Sequence, residues 1–67
     1  MRKRELTEFG KEIKLELMMR NQTQEWLIQQ VRGRSGMYVD SSILYKIMVG
    51  ERNSPKIKQH ICEVLGM

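Results

Sequence analysis

No alanine occurs among the 67 residues, and cysteine, histidine, proline, tryptophan and phenylalanine occur once each. The lone Cys62 excludes an intramolecular disulfide framework. With His60 as the only histidine, a four-ligand zinc site is excluded as well. The two residues are two apart, which on a helix points them to different faces. A free thiol fits a reducing compartment, so the sequence predicts a cytoplasmic protein. Long apolar runs are missing too. None exceeds three residues, as in Trp26-Leu27-Ile28, and nothing that short spans a membrane. The start, Met1-Arg2-Lys3-Arg4-Glu5, is basic but leads into no apolar stretch, which argues against a secretory signal. One proline and five glycines are too few for a disordered linker protein. There is no internal repeat and no low-complexity segment.

What is present is a 40% hydrophobic fraction made entirely of residues larger than alanine. That suffices for one tight core if nearly all the large side chains converge. The length allows a single domain over 1–67, with 1–5 expected as a flexible basic arm. Little chain remains to build both a core and a pocket, which excludes most enzymes. A core this small supplies only a few kcal/mol of net stability, so self-association or a bound partner would help.

The apolar spacing is helical throughout. Leu6, Phe9, Ile13 and Leu17 recur at three and four residues, behind the N-cap candidate Thr7. They predict a helix over about 7–19, stopped at Asn21. Thr23 is the next N-cap candidate, and Leu27, Ile28 and Val31 form one face of a helix over about 23–34. Gly36 is its expected terminator. Met37-Tyr38-Val39 reads as a packed turn. Asp40, Ser41 and Ser42 are all good N-cap residues, and Leu44, Ile47 and Met48 follow in a helix over about 41–49 closed by Gly50. Ser54-Pro55 is a strong helix start, followed by Ile57, Ile61, Val64 and Leu65 and ended by Gly66. The fold class is all-α, a compact bundle of four to five short helices.

No catalytic set is visible. Glu5, Glu8, Glu12 and Glu16 recur every three or four residues, which is a solvated helix face pairing with Lys11 and Lys14 rather than an acid–base dyad. No cofactor and no small-molecule ligand are expected. The charge, by contrast, is uneven. The net +4 arises almost wholly from residues 26–58, and single-sign charge there attracts a polyanion. Ordinary solvated lysines and arginines are the plainer explanation of the same charge.

The order of residues separates the two. Thr23-Gln24-x-x-Leu27-Ile28-x-x-Val31, then Asp40-Ser41-Ser42-x-Leu44-x-Lys46-Ile47-x-x-Gly50-x-Arg52-Asn53-x-Pro55, resembles the Cro/repressor (XRE-type) helix-turn-helix family. The resemblance covers the second and third helices closely. It extends more loosely to Phe9-Gly10-Lys11-Glu12-Ile13 and to Ile61-Cys62-Glu63-Val64-Leu65-Gly66. It implies a lambda-repressor-like bundle that binds operator DNA, usually as a dimer. Two features depart from the family. The connection between the motif helices carries six extra residues, Arg32 to Met37, which puts Tyr38 where a glycine is usual. Ile28 also replaces a small residue at the helix crossing. Both suggest a wider crossing or a lengthened second helix.

On that resemblance, the third helix would enter the major groove. Ser41, Ser42, Ile43, Tyr45 and Lys46 are the base-reading candidates, with packing as the competing role for Ile43 and Tyr45 and N-capping for Ser41. Phosphate contacts fall to Gln24, to Arg32 and Arg34 on the extra loop, and to Arg52, Asn53, Ser54 and Lys56 at the last helix start. The last helix carries more apolar residues than one core face needs, which makes Ile57, Ile61, Val64, Leu65 and Met67 the expected homodimer surface. Trp26 reads as helix cover, and Met18, Met19 and Met48 as gap-fillers. The expected function is that of a sequence-specific double-stranded DNA-binding regulator, a small repressor of phage or mobile-element type. The alternative is a protein-binding module of antirepressor or antitoxin kind on the same fold.

Overall fold

The computed structural model describes residues 5–67. The expected basic arm therefore lies, except for Glu5, outside the described residues. Four helices follow one another: α1 Glu8–Met19, α2 Gln24–Ser35, α3 Ser41–Met48 and α4 Pro55–Leu65.

Their ends are where the local chemistry puts them. The Thr7 hydroxyl accepts from the Gly10 N–H at 3.1 Å, and the Thr23 hydroxyl from the Trp26 N–H at 3.1 Å. Each satisfies one of the donors that a helix start leaves open. Asn21 turns the chain after α1 with φ 56°, and Gly36 and Gly66 end α2 and α4 with φ 68°. These are left-handed conformations that asparagine and glycine adopt at low cost.

α2 is the lengthened element. It runs on through Gly33 to Ser35, so Arg32 and Arg34 stand on its last turn and not on a loop, as the sequence had suggested. Two cations at a helix C-terminus also complement its dipole. Ser35 then steers the exit. Its hydroxyl donates to the Val31 carbonyl at 2.7 Å and accepts from the Met37 N–H at 3.0 Å. Val39 in the following link is buried and Met37 half-buried, which is the packed turn expected there.

α2 packs along α4, while α3 is held against both α1 and α2. Ile13, Leu27, Leu44, Ile47, Ile57 and Ile61 meet in one core, each at most 1% exposed. Two expectations are corrected here. Ile57, Ile61 and Leu65 are fully enclosed by their own chain, so they cannot form a dimer surface. Val64 is half-buried against the same core, and Met67 is 39% exposed. The core takes up the large apolar residues of α4. Met18 and Met19, expected to fill gaps, are instead 70% and 71% exposed, and only Met48 is buried. Trp26 covers the core from its edge, as expected.

The tightest point lies between α1 and the end of α3. The Met48 carbonyl accepts from both the Thr7 N–H at 3.0 Å and the Thr7 hydroxyl at 2.9 Å. Gly10 lies directly over that carbonyl: a Cβ there would stand 2.3 Å from the oxygen. Further links join the helix ends. Arg20 donates to the Leu65 carbonyl and pairs with Glu16 at 3.4 Å. No helix among the described residues is long and apolar enough to cross a membrane.

Candidate nucleic-acid interface

The site is built on α3 and the link that enters it. Leu44, Ile47 and Met48 anchor one side of α3 in the core. At about 3.6 residues per turn, this leaves Ser41 and Tyr45 in one outward row and Ser42 and Lys46 in the next. All four are exposed. Ile43 borders the core and is half-buried against it. Packing therefore occupies Ile43, and Tyr45, 48% exposed, is the apolar group that α3 presents outward.

Asp40, rather than Ser41, caps α3. Its Oδ1 accepts from the Ile43 N–H at 2.8 Å, and its Oδ2 accepts from the Tyr38 hydroxyl at 2.8 Å. Ser41 is thus released from capping. The Ile43 N–H, then the Tyr38 hydroxyl, hold the Asp40 carboxyl below the usual aspartate range. The same bond and the carboxylate charge push the Tyr38 hydroxyl above its ordinary value. The Arg32 guanidinium lies over the Tyr38 ring, 5.7 Å from its centroid. Arg32, Tyr38 and Asp40 thus form a chain of contacts from the end of α2 to the start of α3. Tyr38 was missed as a site residue because its partners lie on both sides of a turn whose shape the sequence does not disclose.

The cap has a pH signature. A carboxyl with a lowered folded-state pKa stabilises fully above the ordinary aspartate range. That contribution is lost as the pH falls through the lowered value. Asp40→Ala is expected to lower the melting temperature at neutral pH, and the difference from wild type should close in strong acid. Circular dichroism melts over a pH series test this; a difference that persists unchanged in acid would contradict it.

The cations of α2, α3, α4 and the turn before α4 separate into two groups. Arg34 pairs with Glu63 of α4 at 3.1 Å, and the His60 Nδ1 lies 3.7 Å from the same carboxylate oxygen. Lys58 lies over the Phe9 ring at 5.5 Å. These side chains, with Arg32, are engaged within the fold. Lys46, Arg52 and Lys56 are exposed along α3 and the turn beyond it. The turn itself folds back onto α3: the Glu51 and Arg52 N–H groups both donate to the Lys46 carbonyl, at 2.8 and 3.2 Å. Arg52 is thereby fixed at the far end of α3 from Asp40. Asn53 is exposed and Ser54 half-buried. Ser54 makes no side-chain cap bond to α4, whose first residue is Pro55.

Gln24 is exposed at the start of α2 but lines a groove toward α1, with Lys14, Leu15, Leu17, Met18 and Gln22. It belongs to a different neighbourhood from the Arg32–Tyr38–Asp40 chain. Comparison with protein-family models, curated proteins and solved structures finds no match. The reading of the site therefore rests on its geometry and on the residue pattern.

Proposed function

We propose that this protein is a sequence-specific double-stranded DNA-binding regulator, a small repressor of Cro/repressor helix-turn-helix kind, acting in the cytoplasm without a cofactor. One observation carries the reading: α3 presents four polar or amphipathic side chains outward, Ser41, Ser42, Tyr45 and Lys46, while its other side is locked into the core. A helix so anchored fits the major groove with its exposed rows toward the base edges. Lys46 is suited to guanine O6 and N7, Tyr45 to a thymine methyl, and the two serines to either donors or acceptors. In this reading α2, in contact with α3 and joined to it by five residues rather than the usual short turn, takes the place of the first motif helix.

Backbone contacts then divide by availability. Arg52, Asn53, Ser54 and Lys56 border the start of α4, where backbone N–H groups favour a phosphate. Arg32 and Arg34 would have to leave Tyr38 and Glu63 to reach DNA, and Gln24 contributes from the side of α1. Titration of a labelled duplex at several salt concentrations tests this assignment. Arg52→Ala with Lys56→Ala is expected to weaken binding to all sequences alike and to flatten the salt slope by about two units. Arg34→Ala should leave the slope nearly unchanged. An unaltered slope in the double variant would contradict the assignment.

A further inference from the structure

We infer that the outward face of α1 is a self-association surface that takes a second copy of this chain. The inference stands apart from the DNA reading and uses none of its residues but Gln24, at the groove's edge.

α1 buries Gly10, Ile13 and Leu17. On the side away from them, Leu15, Met18 and Met19 are 49%, 70% and 71% exposed. Three large apolar side chains gathered on one turn and a half form a patch, unlike scattered single exposures. Beside the patch runs an open groove of about 510 Å³ lined by Lys14, Leu15, Leu17 and Met18 of α1, by Gln22 of the α1–α2 joint and by Gln24 at the start of α2.

The flanks of this stripe select its occupant. At about 3.6 residues per turn, Lys11 and Lys14 fall on one side of Leu15, and Glu12 on the other, beside Glu16, which is already paired with Arg20. A helix with opposite charges on its two flanks is complementary to itself. When two copies pair about a two-fold axis parallel to α1, the lysine flank of each faces the glutamate flank of the other. Antiparallel pairing would set lysine against lysine. Met19 lies on the glutamate flank and the groove on the lysine flank. The parallel arrangement therefore brings Met19 of each copy to the groove of the other. A flexible thioether chain suits such an irregular recess.

Sedimentation equilibrium of the full chain, with circular dichroism to verify folding, tests the proposal. Wild type is expected to dimerise in the micromolar range, and Leu15→Glu or Met18→Glu to raise the dissociation constant at least about tenfold without loss of helix. Lys11→Glu with Lys14→Glu should be monomeric alone, and Glu12→Lys, which leaves the Glu16–Arg20 pair intact, should be weakened alone. Mixing the two variants should restore a dimer. A wild type that stays monomeric up to millimolar concentration, a dimer indifferent to Leu15→Glu, or a mixture that fails to associate would each overturn it. Capture of a foreign amphipathic helix by a monomeric wild type would overturn it as well, because the occupant would then be another protein.

Discussion

Gly10→Ala is expected to destabilise the protein by about 2–3 kcal/mol, a large part of the few kcal/mol that a core of this size provides. The added Cβ would stand 2.3 Å from the Met48 carbonyl oxygen. Nothing soft is available to yield. The obstacle is backbone, and that carbonyl is held by two hydrogen bonds from Thr7. Relief requires α1 to move off α3, which opens the core around Ile13, Leu44 and Ile47. The melting temperature should fall by about 10–20 °C. Gly33 supplies the control. It also lies within a helix, but a Cβ there meets nothing within 4 Å. Gly33→Ala should stabilise by about 0.5–1 kcal/mol, because alanine loses less backbone freedom on folding. Thermal melts of both variants decide the point. Similar shifts of the same sign would show that helix propensity, not the approach of α1 to α3, governs Gly10.

Lys46→Ala is expected to weaken binding to the preferred DNA site by about tenfold to a hundredfold and to relax the preference at one base pair. Lys46 stands in the outward row with Ser42, one turn from the capped start of α3, and its backbone carbonyl anchors the turn that carries Arg52. The substitution leaves that carbonyl in place, so folding should be unaffected. Loss of specificity with little change in salt slope would mark a base contact. Uniform weakening across sequences would instead make Lys46 a phosphate contact.

The sequence revealed most where the physics is local. Thr7, Thr23 and Asp40 cap their helices through a bond to a residue three positions on. Such a bond is legible in four consecutive letters. Gly36, Gly66 and Asn21 end helices by their own backbone conformation, again a one-residue property. The four helices therefore lie close to where apolar spacing and caps predicted them. The outward set on α3 was legible for the same reason, since Leu44, Ile47 and Met48 fix which side faces in.

What was hidden depends on residues distant in the chain. Periodicity says that α4 has an apolar face but not how much cover the other helices provide. Only the assembled core shows that Ile57, Ile61 and Leu65 are consumed by it. The same holds for Met18 and Met19, whose expected gaps do not exist. Arg34 looked available because its partner, Glu63, is 29 positions away. Gly10 gave no sign of its close approach, because the carbonyl it accommodates belongs to Met48.

Selection of bound sequences from a random duplex pool at near-physiological salt tests the central claim most directly. The account predicts a defined enriched site with guanine opposite Lys46, and a two-fold symmetric one if two copies bind together. Recovery of a pool no different from the starting one, with the protein folded, would contradict it and leave the α3 face to a protein partner.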